Sequence, residues 1–189
     1  MAKKKVGVLA LQGDFEAHEK ALERAGAEAV EVRSAQDLTR IDGLIIPGGE
    51  STTMMKLLEL EHLLEPLAEF GKNKPVFGTC AGAILLASDV TNPAQRSLGL
   101  MDISVERNAY GRQLDSRIAT LPVQGSPEAL EAVFIRAPII RRVGPETKVL
   151  ASYQGHPVLV EQGHKMAATF HPELTADPRV HLMFIEKIP

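Results

Sequence analysis

Residues 75–87, Pro75-Val76-Phe77-Gly78-Thr79-Cys80-Ala81-Gly82-Ala83-Ile84-Leu85-Leu86-Ala87, leave this chain few ways to fold. A short apolar run suited to a buried strand meets Gly-x-Cys-x-Gly, and an Ala/Leu-rich segment of helical character follows at once. That order describes a nucleophile elbow, a sharp strand-to-helix turn that lifts its central side chain clear of a sheet. The flanking glycines remove the side chains that would collide in so tight a turn. Cys80 holds the central position and is the only cysteine in the chain. A lone cysteine beside an apolar core is also simply a small buried hydrophobe, and the pattern leaves both readings open. Position favours chemistry: a helix that begins at Ala81 offers free N–H groups and a positive end to a thiolate and to a developing oxyanion.

A nucleophilic cysteine needs a base to take its proton, and the base needs an acceptor that fixes its tautomer. The stretch Met166-Ala167-Ala168-Thr169-Phe170-His171-Pro172-Glu173 offers both. It is strand-like up to His-Pro-Glu, and the proline disfavours helical backbone at the residue before it, so His171 is expected to be extended. In an extended segment residues two apart point the same way, which sets Glu173 beside His171. Cys80, His171 and Glu173 can then serve as nucleophile, base and orienting acid.

The 189 residues suffice for one substantial core, and a single domain over residues 1–189 is the expectation. With 44% hydrophobic residues and a net charge of -3, the chain should be soluble and has no global attraction to nucleic acid. No apolar run reaches the ~18 residues of a membrane span. The apolar stretch after Lys3-Lys4-Lys5 is one strand long and runs straight into Gln12-Gly13-Asp14, unlike a signal peptide. A single cysteine excludes an internal disulfide and suits a reducing cytosol. His18, His62 and His181 fall in helical stretches, His156 and His164 in turns where exposure is expected. None has metal-ligand spacing, so neither a metal nor a cofactor is expected.

Taken in order, Val6 to Leu11 reads as a buried parallel strand, apolar without alternation. Asp14 is placed to cap a helix carrying Phe15, Ala21 and Leu22, and Gly26 to close it. A right-handed crossover to a strand at 29–32 puts Gln12 at the carboxyl ends of the strands, where open α/β sheets hold ligands. Residues 43–46 form the next strand, and the turn Pro47-Gly48-Gly49 exposes backbone N–H groups, although the Lys-Ser/Thr of a phosphate loop is missing. Residues 59–74 read as a helical hairpin, or as a long helix interrupted at Pro66, that ends at Gly71. The helix from Ala81 is expected to stop just before Asn92-Pro93. Residues 101–121 alternate, as antiparallel or edge strands do; residues 127–132 read as a polar linker. Residues 133–136 read as a strand tip, 149–170 as a meander that delivers His171, and Asp177-Pro178 as the start of a closing helix. On pattern alone Arg107 is an ordinary surface cation. Arg136 is either a guanidinium for a carboxylate or a partner for Glu106, Glu128 or Glu131.

Six segments together resemble a known family: Leu11-Gln12-Gly13-Asp14-Phe15 with His18, Pro47-Gly48-Gly49-Glu50-Ser51-Thr52-Thr53, Gly78-Thr79-Cys80-Ala81-Gly82, Val105-Glu106-Arg107-Asn108-Ala109-Tyr110-Gly111, Phe134-Ile135-Arg136-Ala137-Pro138 and Phe170-His171-Pro172-Glu173. They span most of the chain. The chain resembles class I glutamine amidotransferases with a Cys-His-Glu triad, and among them the glutaminase subunits of pyridoxal 5'-phosphate synthase. The resemblance implies a three-layer α/β fold around an open, mostly parallel, flavodoxin-like sheet. It implies hydrolysis of L-glutamine to glutamate and ammonia, with catalytic Cys80, His171 and Glu173 and an oxyanion hole from the backbone N–H groups of Gly49 and Ala81. Gly48, Gly49, Glu50, Arg107, Ile135 and Arg136 then contact glutamine, Glu50 through the substrate's ammonium group. Gln12 lies near the oxyanion region and responds to the partner. That partner is a separate β/α-barrel synthase subunit in a cytosolic hetero-oligomer. The competing reading is a non-catalytic stress or binding protein on a related scaffold, with Cys80 as an oxidisable thiol.

Overall fold

The computed structural model describes residues 3–109 and 116–189. Tyr110 and Gly111 of the fourth segment therefore lie outside the described residues. In chain order the elements are β1 (Lys5–Leu9), α1 (Phe15–Arg24), β2 (Glu28–Val32), β3 (Gly43–Ile46), α2 (Ser51–Leu60), α3 (Leu64–Asn73), β4 (Val76–Thr79) and α4 (Ala81–Leu86). They continue with β5 (Ala87–Thr91), β6 (Met101–Glu106), β7 (Arg117–Leu121), β8 (Leu130–Phe134), β9 (Ile139–Val143), β10 (Lys148–Tyr153), β11 (His156–Gln162), β12 (Lys165–Ala168) and α5 (Arg179–Glu186).

The non-alternating apolar runs become the centre of a seven-stranded sheet in the order β10-β11-β12-β4-β3-β1-β2. From β12 to β2 every pairing is parallel, whereas β10, β11 and β12 form the antiparallel meander expected from the sequence. The order β2-β1-β3-β4-β12 is the flavodoxin-like one, with its switch point between β1 and β3. Strands covered on both faces need apolar residues on both, and alternate positions sort accordingly. Leu44, Ile46, Val76 and Ala167 enter the layer packed by α2, α3 and α4. Ile45, Phe77, Met166 and Ala168 enter the opposite layer with Leu22, Val180 and Phe184. The result is three layers around a mixed, mostly parallel sheet.

Several local expectations give way to packing. The helix after the elbow ends at Leu86, because Ala87–Thr91 pairs in parallel with β6 and buries Ala87 and Val90 there. Of the two alternatives for residues 101–121 the antiparallel one holds: β6 pairs antiparallel with β9 as the middle strand of a three-stranded sheet β5-β6-β9, and β7 antiparallel with β8. Residues 127–132 are not simply a linker: β8 begins at Leu130 and pairs with β7, and Leu130 and Ala132 are buried. Pro66 interrupts nothing, since it sits in the first turn of α3, where a missing N–H costs little. The break falls at residues 61–63, so His62 lies in a turn, and α3 continues past Gly71 to Asn73. Asp14 does occupy the N-cap of α1, but its side chain makes no capping hydrogen bond. His156 and His164 are half-buried rather than exposed.

The turn around Cys80 fits only because two glycines stand where backbone meets backbone. A Cβ on Gly82 would lie 2.0 Å from the Ile46 carbonyl oxygen, and one on Gly78 2.4 Å from that of Gly82. Gly82→Ala is expected to lower the unfolding free energy by about 3 kcal/mol. Gly163→Ala, with nothing within 4 Å of its added Cβ, is expected to lose only about 1 kcal/mol from its positive φ. Urea denaturation of the two variants measures the difference.

Candidate active site

Four loops meet at the carboxyl ends of the parallel strands: the one after β1 with Gln12 and Gly13, the one after β3 with Gly48 and Gly49, the elbow after β4, and the segment after β12 with His171. Cys80 has φ 51° and ψ -105°, a conformation that costs a residue with a side chain about 1–3 kcal/mol. Neighbouring strands hold it there, since the Cys80 N–H donates to the Ala168 carbonyl at 2.8 Å and that of His171 to the Val133 carbonyl at 2.8 Å. Gly48 closes the group from the other side; a Cβ there would lie 2.6 Å from His171 Cε1 and 3.4 Å from Cys80 Cβ.

His171 Nδ1 lies 2.6 Å from Glu173 Oε1. The route to that contact differs from the expected extended segment: Pro172–Leu174 forms a 3-10 turn that swings Glu173 back under the imidazole. Both side chains are buried. Burial disfavours a charged imidazole, but hydrogen bonds to Cys80 and Glu173 and the charges of both outweigh it and push His171 up to about 10. Ala81 begins α4, so its N–H has no acceptor within the helix.

Gln12 bridges two of the loops. Its Oε1 accepts the Glu50 N–H at 3.0 Å, and a Cβ on Gly49 would come within 2.4 Å of the same oxygen. The Asp14 N–H donates to the Gly48 carbonyl at 3.3 Å. The Glu50 carboxylate caps α2, accepting from the N–H groups of Thr52 at 3.1 Å and Thr53 at 2.7 Å, and from the Thr53 hydroxyl at 2.7 Å. The Thr53 hydroxyl bond is the largest of the effects that outweigh desolvation and hold Glu50 down to about 2. Arg107 is no free surface cation. It donates to Thr52 Oγ1 at 2.9 Å and lies 3.5 Å from Glu50.

A cleft of about 480 Å³ opens onto Cys80 and His171, walled by Gly13, Asp14, Gly48, Gly49, Ser116, Ile135 and Arg136. Ile135 and Arg136 line this cleft, and the Ile135 carbonyl is 3.9 Å from Cys80 Sγ. Of the acids weighed as partners for Arg136, Glu106 pairs instead with Arg141 at 2.5 Å. Glu50 and Arg107 do not line this cleft; they meet each other beside it. Sequence reasoning missed Asp14 and Ser116 as walls, and although His18 belongs to one of the matched segments it gave no role to His18 or His181, which are fully buried behind Glu173. His18 shares one helix face with Ala21 and Leu22. That spacing was the available signal for an inward-facing histidine.

Among the described residues no group of three or more His, Cys, Asp or Glu could hold a metal ion, and no helix is long and apolar enough to cross a membrane. Comparison with known proteins gives a consistent result. The model of the SNO glutamine amidotransferase family matches residues 8–189. The pyridoxal 5'-phosphate synthase subunit PdxT of Solibacter usitatus is 64% identical, over 98% of this chain and 100% of that protein. The subunit of the same name from Koribacter versatilis is 56% identical, over 97% and 95%. A crystal structure of a glutamine amidotransferase at 48% identity superposes with a TM-score of 0.90, covering 97% of this chain and 98% of that one. The chain belongs to the SNO glutamine amidotransferase family.

Proposed function

We propose that this chain, acting as one domain, hydrolyses L-glutamine through a Cys80 thioester and supplies the ammonia to a pyridoxal 5'-phosphate synthase subunit. The observation that carries the reading is the 2.6 Å His171–Glu173 pair set against a cysteine at a strained elbow, in a chain 64% identical to a protein named as that synthase's PdxT subunit. A non-catalytic thiol protein has no use for such a pair.

His171 takes the Cys80 proton, and the thiolate attacks the side-chain carbonyl of glutamine. The oxyanion forms between the N–H groups of Ala81 and Gly49, donors that matter because the charge appears only in the transition state. His171 then returns its proton to the leaving nitrogen. Ammonia departs, and water, deprotonated by His171, cleaves the thioester to glutamate. Ile135 and Arg136 hold the substrate from the cleft wall. Glu50 and Arg107 reach its amino-acid end when the Gly48–Gly49 loop adjusts, with Gln12 as the link that responds to the partner. The partner is a β/α-barrel subunit docked over the strand ends in a cytosolic hetero-oligomer. Enclosure has a chemical reason: ammonium lacks the lone pair needed for attack.

Turnover with thioester trapping tests the roles. Cys80→Ser is expected to lose about 10⁴-fold or more in ammonia release, and Glu173→Ala distinctly less, because an orienting group leaves nucleophile and base in place. Undiminished turnover in Cys80→Ser overturns the reading. Ammonia release is further expected to rise when the cognate synthase subunit is added; full activity alone, unchanged on mixing and without a complex, rules out partner activation.

The pH dependence of stability has a fixed sign. His171 is raised from its ordinary 6.5 to about 10, so its contribution is fully present below about pH 6.5 and is lost as pH rises through about 10. Thermal unfolding is expected to show a decline across that window. Glu173→Gln, which removes one of the partners that raise His171, should bring the decline to lower pH.

A further inference from the structure

The most deeply buried titratable cluster outside the cleft lies directly behind Glu173. His18 from α1 and His181 from α5 are both fully buried. His18 Nδ1 is 3.0 Å from His181 Nε2, and His18 Nε2 is 3.0 Å from the Thr79 hydroxyl and 3.4 Å from Glu173 Oε2. Burial first, then His181 and His171, holds His18 well below its ordinary value. Burial and the charge of Arg24 hold His181 at about 4. Each ring therefore carries one proton at neutral pH, and two arrangements of those protons fit the contacts. In one, His18 Nδ1–H donates to His181 Nε2, so His181 carries its proton on Nδ1. That nitrogen is buried and has no partner, and Glu173 Oε2 is equally buried and has no hydrogen-bond donor in good geometry. In the other, His181 Nε2–H donates to His18 Nδ1, and His18 Nε2–H points at Thr79 and Glu173. His181 Nδ1 is then left with only a bare lone pair, and Glu173 Oε2, still outside hydrogen-bond geometry, faces an N–H rather than a lone pair at 3.4 Å. A buried N–H left unmet while a lone pair faces the carboxylate costs more than an unmet lone pair while an N–H faces it.

From this geometry we propose that His18 is a positioning residue for the triad, its Nε2–H fixed by His181, donated to Thr79 Oγ1 and turned toward Glu173 Oε2 as a close electrostatic partner. One oxygen of Glu173 then faces His18 while the other receives His171 Nδ1–H. The carboxylate cannot rotate away from the base without losing a buried partner. The two N–H dipoles also point the same way along the chain of rings, so each strengthens the next. The role in turnover rests on the glutaminase reading above, whereas the contact itself does not.

Two measurements test it. In the intact chain with isotope-labelled histidine, nuclear magnetic resonance locates the ring proton of His18: Nε2–H is expected, and Nδ1–H overturns the proposal whatever the chain hydrolyses. In the complex with the cognate synthase subunit, His18→Leu is expected to lower kcat for glutamine about tenfold, the loss of one close polar partner of a charged group, while KM changes less than about twofold. His18→Gln, whose amide nitrogen can reach the same oxygen, is expected to recover most of kcat. A His18→Leu protein with parental kcat, or a loss that Gln does not repair, overturns the proposal. If His18→Leu does not fold, His18→Gln and the tautomer decide. A parental complex that releases no ammonia from glutamine overturns the glutaminase reading, and the tautomer still decides the contact with Glu173.

Discussion

The site depends on a backbone contact rather than on a side chain: the first turn of α4 is pressed against the end of β3, with Gly82 under the Ile46 carbonyl. That contact forces the chain to leave β4 abruptly and holds Cys80 at a positive φ, above the sheet instead of within it. Adjacent strands are about 4.8 Å apart, so the two neighbours of β4 bring their own loops to the cysteine without further design. β3 contributes the paired glycines, and β12 contributes the base. A pleated sheet thus supplies the spacing that a triad and an oxyanion hole require, and the loops add only chemistry.

Electrostatics then grade the site from inside to outside. Glu173 is buried against histidines, one raised and two lowered, so its influence is spent on the base in front of it. Glu50 sits in the open, where three hydrogen bonds from its own helix keep it ionised at any ordinary pH. Arg107 lies against it, which makes the rim a balanced pair next to a mostly apolar cleft.

The parallel strands, the elbow and the His171–Glu173 contact were legible because each has a local signature: non-alternating apolar runs, Gly-x-Cys-x-Gly and His-Pro-Glu. What the sequence hid was decided by partners far along the chain. Ala87–Thr91 looks helical beside Ile84-Leu85-Leu86 and becomes a strand only because β6 lies next to it. Leu130 and Ala132 carry too short an alternation to announce β8, which exists through its pairing with β7. Glu173 was placed correctly for a reason that proved incomplete, since a 3-10 turn and not an extended strand brings it to His171. His18 entered as part of a family resemblance, and both His18 and His181 as metal ligands to be excluded, while their meaning lies in a contact between α1 and α5.

The parallel pairing of β12 with β4 bears on when reactivity appears. The base follows a strand that is slotted between β4 and β11 and is made well after the cysteine. Such non-local parallel pairings form late, because closing so long a loop must precede the contacts that reward it. A growing chain therefore carries Cys80 as an ordinary thiol with no histidine beside it. Cys80 and His171 come together only when the sheet is finished, so the pairing is a property of the complete fold and not of any local segment.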